Sequence, residues 1–338
     1  AVGIEHEVAQ KAALFANVMI LGLPAIAMQE TVRKYLQCQG IMTPFVFVAT
    51  ICNCFHVGMC VLFISPGNLS WGLSGAALTL VISYYLNNLL VVAYCWWSGA
   101  HKLTWGGWTW ECMDHIWPFL KLAVPGAGMI CMEWWCFELM TLLSASLGTS
   151  VVAAQTVMFQ TTAIFFMVPL GFSIAVGARV GNFLGSGKPV SAQRVAVLSL
   201  LSCWAITLSA SMVLYSYRRR WAEIFSQDPE VVDMIIEVMP VQNSFLILDA
   251  TQGVVSGVIR GCGNQHIGFY VNLFAYYAIA LPAGILLAFH FELGLAGLWY
   301  GLAMGSLTQA GCLTLYVYRV DYKLLAAAAA RRVHGLAG

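Results

Sequence analysis

Three carboxylates interrupt long apolar runs: Glu133, Glu138 and Asp249. A charge at bilayer depth is costly and usually functional. Glu133 lies twelve residues from Lys121, and Asp249 eleven from Arg260, each basic residue marking one end of an apolar run. At about 1.5 Å per helical residue, the two acids sit roughly 18 and 16 Å from the same face. They come from different segments yet reach similar depth. Glu138 follows Glu133 by five residues, about 140° around a helix and one turn further from that face. A buried carboxyl can be neutral when it faces one compartment and ionised when it faces another. Ionised, it holds a cation; protonated, it releases the cation. This is a physical basis for exchanging a proton or Na+ against an organic cation. The alternative, a carboxyl paired with a nearby Trp, Tyr or backbone donor for packing alone, stays open at this point.

Other residues divide between chemistry and structure. Trp134, Trp135, Phe137, Phe159 and Phe166 flank the acids. Such rings can stack on cations, although membrane aromatics also serve packing and lipid contact. Glu30 stands one turn from Arg33 and Lys34, the spacing of an interfacial ion pair. Asp233 and Glu237 suit a helix N-terminus. Cys52, Cys54 and His56 do not share a helix face and show no CxxC spacing, so a zinc site is not expected. Gly187-Lys188 is followed by Pro189 where a P-loop needs Ser or Thr, so nucleotide hydrolysis is not expected either. Asn68-Leu69-Ser70 is a glycosylation sequon in a loop too short to favour modification.

The elements that must position these residues are membrane helices. Of 338 residues 60% are hydrophobic and 9% charged, and the mean hydropathy is +0.78. A soluble domain carries about 25% charged residues. The net charge of +1 supplies no basic field for nucleic acid. Nine apolar stretches approach or exceed the ~20 residues needed to span hydrocarbon: 12–35, 44–64, 73–97, 122–147, 151–176, 194–217, 231–259, 268–290 and 295–318. They lack the period-2 alternation of a barrel. Alternating the loops places twelve basic residues on one side, Arg33, Lys188, Arg194, Arg260 and Arg319 among them. Four fall on the other side: Lys11 and Arg218, Arg219 and Arg220. The richer side is therefore read as cytoplasmic, with the Arg218–Arg220 cluster as an exception. The glycines at 177, 181 and 185, and at 253, 257 and 261, permit close helix approach. Pro24, Pro125, Pro169, Pro240 and Pro282 allow bending.

A weak repeat runs through the chain. Glu7-Val8 matches Glu230-Val231, and Gly72-Leu73-Ser74-Gly75 matches Gly294-Leu295-Ala296-Gly297, at offsets of 223 and 222. Spans one to three thus correspond to spans seven to nine. Spans four to six have no upstream counterpart, so the full pattern is twelve spans in two parallel halves with the first three absent here. Parallel halves are a transporter architecture.

The sequence resembles the multidrug and toxin extrusion (MATE) family of antiporters, eukaryotic type. The stretches that carry the resemblance are Met132-Glu133-Trp134-Trp135-Cys136-Phe137-Glu138 and Met167-Val168-Pro169-Leu170-Gly171-Phe172-Ser173, followed by Arg179-Val180-Gly181-Asn182. Gly257-Val258-Ile259-Arg260-Gly261-Cys262-Gly263-Asn264-Gln265 and Tyr35-Leu36-Gln37-Cys38-Gln39-Gly40 extend it. It covers about residues 5–322. The resemblance implies cation- or proton-coupled export of organic cations through a cavity between two six-helix lobes. The family's acids in the seventh helix fall on Glu133 and Glu138, and its tenth-helix acid on Asp249. An acid that some members carry in the eighth helix is replaced by Gln160, which can hydrogen-bond a substrate but cannot carry a proton. Gln160 lies nineteen residues from Arg179, roughly 28 Å from the inside.

The expected architecture is all-α and polytopic, with the last three helices of an N-lobe at 1–107, a six-helix C-lobe at 108–323 and a cytoplasmic tail at 324–338 that is flexible or briefly helical. The expected activity is antiport of organic cations, xenobiotics or metabolites against H+ or Na+, without enzyme chemistry or cofactor. Glu133 couples the ion, Asp249 shares its proton, and Glu138 steadies the cation, with Gln160, Trp134, Phe159 and Phe166 lining the path. Partners are a small-molecule substrate and the lipid bilayer, with no nucleic acid, and the chain is expected to be a monomer in the plasma, vacuolar or another internal membrane. Two other readings remain: a truncated, inactive or regulatory membrane scaffold, and a lipid-linked oligosaccharide flippase. The flippase reading would favour basic rather than acidic groups at depth.

Overall fold

The computed structural model describes residues 6–64, 71–102, 104–107, 109–114 and 116–335. The sequon at Asn68-Leu69-Ser70 lies outside the described residues. Every regular element among the described residues is helical. The chain divides into two compact units, Ala1–Trp110 and Glu111–Gly338.

The first unit holds α1 (His6–Ile20), α2 (Leu23–Cys38), α3 (Thr43–Ile64) and α4 (Gly72–Ser98). The single span expected over 12–35 is instead two helices that meet at a 49° bend. Pro24 occupies the first turn of α2, where its missing N–H costs nothing but a helix running through from α1 would lose a bond. Asn88 on α4 ties this corner by donating to the Ala25 carbonyl at 2.7 Å. Glu30 pairs with Arg33, as their spacing foretells. His56 shares a 2.9 Å hydrogen bond with Ser83.

The second unit holds α5 (Ile116–Ala145), α6 (Thr149–Gly185), α7 (Pro189–Ser216), α8 (Arg218–Phe225) and α9 (Pro229–Cys262). A continuous span follows from Gln265 to His290. It comprises α10 (Gln265–Leu273), a π-helical stretch Phe274–Ala280, α11 (Leu281–Ile285) and a second π stretch Leu286–His290. Pro282 lies in the first turn of α11, between the two π stretches, and π turns are one way for a helix to accommodate a carbonyl that proline leaves without a donor. The unit ends with α12 (Gly294–Arg319) and α13 (Tyr322–Gly335). Helix α9 has explicit boundary chemistry. Asp228 caps it by accepting from the Glu230 N–H at 3.0 Å, Pro229 opens it, and Gly263 closes it with φ +74°.

Among the described residues, six helices are long and apolar enough to cross a bilayer, or seven if the bent α1–α2 pair is one span. This is fewer than the nine expected. The difference lies in α5 and α12, which have 30 and 26 residues, or about 45 and 39 Å. They are long enough, but polar side chains dilute them: Lys121, Glu133 and Glu138 on α5, and Ser306, Thr308 and Gln309 on α12. The tail expected from 324 is part of α13, which packs on α6 and α7 and buries Tyr322 and Ala326. The Arg218–Arg220 cluster that broke the charge rule is locally compensated. Arg219 lies 3.3 Å from both Glu223 and Asp233.

The tightest packing in the second unit is glycine-mediated. Between α6 and α9, a Cβ at Gly257 would stand 2.3 Å from the Ser173 carbonyl oxygen, and one at Gly261 2.5 Å from that of Gly177. Helix backbones touch directly there, as the four-residue glycine spacing foretells. The repeat also has a backbone counterpart. Gly72 and Gly294 open α4 and α12 with φ of +54° and +53°. Three residues on in each case, Gly75 would meet the Phe63 carbonyl oxygen at 3.0 Å and Gly297 the Ala288 nitrogen at 2.5 Å.

Gly257→Ala is expected to destabilise the protein by about 1–3 kcal/mol through overpacking, read as a lower melting temperature in detergent. Gly311→Ala, where an added Cβ meets nothing within 4 Å, is expected to leave it unchanged.

Candidate functional site

Helices α5, α6 and α9 of the second unit converge on one cavity. Its lining is Glu133, Trp134 and Phe137 from α5, Phe159, Thr162, Ala163 and Phe166 from α6, and Asp249 from α9. Five of the seven residues singled out from the sequence are therefore neighbours: Glu133, Asp249, Trp134, Phe159 and Phe166. The other two, Glu138 and Gln160, are exposed and do not line this cavity.

The two acids are joined by a residue that sequence reasoning missed. The Gln252 amide nitrogen donates to Glu133 Oε1 and to Asp249 Oδ1, each at 2.9 Å. Gln252 lies one turn beyond Asp249 on α9 and is 1% exposed, against 3% for Asp249. Its carbonyl accepts from Gln309 Nε2 at 3.0 Å and from Ser256 Oγ at 3.3 Å. Gln309 also donates to Asn272 Oδ1 at 2.8 Å, and its own carbonyl accepts from the Tyr276 hydroxyl at 2.8 Å. Asn272 donates in turn to the Met129 carbonyl at 2.8 Å. An amide has two donors on nitrogen and an acceptor on oxygen. Each link thus sets the polarity of the next, and the chain from Tyr276 through Gln309 to Gln252 ends by donating to both carboxyls. Tyr276 is delivered by the first π-helical stretch, where it is fully buried.

A second cavity adjoins the first and shares Glu133, Trp134 and Phe166 with it. Its further lining includes Ser173, Gln252, Ser256, Asn272 and Arg260. The sequence assigned Arg260 to a cytoplasmic loop. It instead forms the last turn of α9, and its guanidinium turns inward to donate to Ser173 Oγ at 2.7 Å. The Ser173 hydroxyl in turn donates to the Gly253 carbonyl. This is possible because α6 and α9 touch at their glycines. The acids therefore share their surroundings with one internal cation.

The aromatic residues form a column rather than a cage. Trp134 meets Phe159 edge-on at 6.3 Å, Phe159 meets Phe137 at 5.7 Å, and Phe137 meets Phe245 at 5.7 Å. Phe245 reaches Trp299 at 5.7 Å, and the Trp299 N–H donates to Gln155 Oε1 at 2.9 Å. Offset and edge-to-face geometries of this kind add rigidity beyond area burial. Trp134, 45% exposed, is the open end of the column. Trp135 is 55% exposed and takes no part in it. Among the described residues, no three His, Cys, Asp or Glu side chains converge as metal ligands.

The MatE family pattern matches residues 1–62 and 125–286. Multidrug and toxin extrusion protein 2 of Mus musculus is 34% identical over 322 residues, which is 95% of this chain and 56% of the mouse protein. Protein DETOXIFICATION 16 of Arabidopsis thaliana is 36% identical over 319 residues, 93% of this chain and 65% of the plant protein. This chain thus spans little more than half the length of such relatives. The crystal structure of the eukaryotic MATE transporter AtDTX14 superposes with a TM-score of 0.93 at 31% identity, covering 98% of this chain and 74% of that one. An outward-facing multidrug resistance MATE transporter shares the fold, with a TM-score of 0.82 at 17% identity. With more than half its length matched by the family pattern, and relatives at 34–36% identity covering over nine-tenths of it, the chain belongs to the MatE family.

Proposed function

We propose that this chain carries the ion-coupling half of a secondary antiporter. It exchanges an organic cation or xenobiotic for H+ or Na+ by alternating access across a membrane. The single observation that carries the reading is the Glu133–Gln252–Asp249 bridge, in which two acids from separate helices share one donor beside an aromatic-lined cavity.

The chemistry follows from competition for the carboxyl oxygens. With Glu133 ionised, its free lone pairs and the face of Trp134 can hold a positively charged substrate. A proton or Na+ arriving at the same oxygens removes that negative charge and releases the substrate. Asp249 is more deeply buried than Glu133, whose surface is partly accessible. In this reading Glu133 meets substrate and Asp249 takes part in holding the proton. Arg260 limits the negative charge that the cavity can accumulate. Glu138 and Gln160 are assigned to an outer part of the path on their exposure. The names of the relatives support the substrate class, since they describe multidrug and toxin extrusion.

The test is reconstitution into liposomes with trapped ethidium and an imposed pH or Na+ gradient. Gradient-driven ethidium movement is expected to reverse with the sign of the gradient. Glu133→Gln is expected to lower it about tenfold or more, the scale of a charge-assisted contact. Glu30→Gln, which breaks only an exposed ion pair, is expected to change it less than about twofold. Movement that ignores both gradients and the Glu133 substitution would refute the coupling.

Gln252→Leu separates the role of the bridge from that of the charge. It strips a donor from each acid and takes from the Gln309 amide one of its two acceptors, Asn272 Oδ1 remaining, an expected loss of about 1–3 kcal/mol. The readout is a melting-temperature decrease in detergent larger than that of Glu133→Gln.

A further inference from the structure

A third cavity in the second unit lies away from the carboxylates, where α7, α9 and α12 meet the start of α13. Leu200 on α7, Val254 and Val258 on α9 and Val317 on α12 form its apolar walls. Its volume is about 200 Å³, less than a pocket that encloses a whole drug-sized molecule, so it holds part of a longer ligand. Besides Gln193 and the exposed Tyr318 at the rim, Thr314 and Tyr322 bring hydroxyls to this lining. Both are buried and neither has a hydrogen-bond partner. Tyr322 is only 6% exposed. An unpartnered buried hydroxyl is costly, and structures normally satisfy such groups. Two of them in one apolar cavity indicate a ligand that is mostly hydrocarbon and brings hydrogen-bond acceptors to one end.

The rim indicates which ligand. Three lining residues, Gln193, Tyr318 and Tyr322, are each followed in sequence by an exposed cation: Arg194, Arg319 and Lys323. The acid between them, Asp321, is engaged as the cap of α13, accepting from the Lys323 and Leu324 N–H groups at 2.8 and 3.3 Å. The mouth is bordered by Val197 and Tyr318, 53% and 82% exposed on the outer faces of α7 and α12. In a membrane such faces meet lipid, and cations at a helix end attract anionic headgroups.

We propose that this cavity is a binding site for one anionic phospholipid from the leaflet on the Arg194–Arg319 side. An acyl chain lies between α7, α9 and α12, the ester oxygens accept from Thr314 and Tyr322, and the phosphate faces Arg194, Arg319 and Lys323. Because α13 begins at Tyr322 and packs on α6 and α7, the lipid would pin the last helix of the chain to the helices that carry the acids.

The experiment uses the purified chain in detergent with added dioleoylphosphatidylglycerol or dioleoylphosphatidylcholine, read by native mass spectrometry. One phosphatidylglycerol is expected to remain bound, favoured over phosphatidylcholine about fivefold or more by the basic rim. The Thr314→Val/Tyr322→Phe double variant is expected to lower its occupancy about tenfold, the scale of two hydrogen bonds. Equal retention of the two lipids, or unchanged occupancy in the double variant, overturns the proposal. Photolabelling of the unaltered chain with a diazirine-tailed phosphatidylglycerol tests it without any substitution. Label concentrated on 196–200, 254–258 and 314–318 supports the site, and label spread evenly over the apolar helices overturns it. If the double variant fails to fold, this labelling alone decides.

Discussion

Two carboxyl groups among apolar helices are the constraint around which the second unit is organised. Removing a polar group from water without a partner costs several kcal/mol, and a charge far more. Gln252 meets that demand with a single amide, one N–H to Glu133 and one to Asp249. An amide committed in this way needs its oxygen satisfied too, which brings in Gln309 and Ser256. Gln309 then needs Tyr276 and Asn272. The polar groups around the two acids are therefore one connected set, and its cost is offset only if every member is satisfied. Four helical segments, α5, α9, α10 with its π-helical continuation, and α12, are held in register by these bonds.

Close packing makes the set geometrically possible. Helices α6 and α9 approach until Gly177, Gly257 and Gly261 leave no room for a methyl group. At that distance Ser173 reaches both the Gly253 carbonyl and Arg260. Without hydrocarbon exclusion to drive helices together in lipid, such backbone contact and the hydrogen bonds beside it supply the association. On the opposite side the aromatic column from Trp134 to Trp299 is anchored at its buried end by Gln155. The cavity thus has a polar wall and a stacked aromatic wall, each with its own internal support.

The parts of this arrangement legible in the sequence were those with a strong local signature. Acids inside apolar runs announce themselves, and depth arithmetic from Lys121 and Arg260 placed Glu133 and Asp249 at one level. Glycine periodicity foretold the α6–α9 contact. Gln252, Gln309 and Asn272 were not found because an uncharged amide in a helix has no distinctive spacing; the three-residue step from Asp249 to Gln252 was the available signal. The inward turn of Arg260 is not legible because the end of an apolar run marks where the helix meets the interface, whereas a long side chain can turn back inward. The π-helical turns that deliver Tyr276 depend on tertiary packing around Pro282 and leave no pattern in sequence. The α1–α2 bend was visible only as Pro24, which marks where a helix can break without saying that it will.

Gly72 and Gly294 enter their helices through the same left-handed turn. In that conformation any residue with a side chain carries about 1–2 kcal/mol of steric penalty. Drift can exchange one apolar side chain for another on every helix face while those two positions stay closed to it. The corner at the head of α4 and of α12 is therefore held more durably by a torsion angle than by the surrounding letters, and the two helices can differ almost entirely in composition yet still turn it alike.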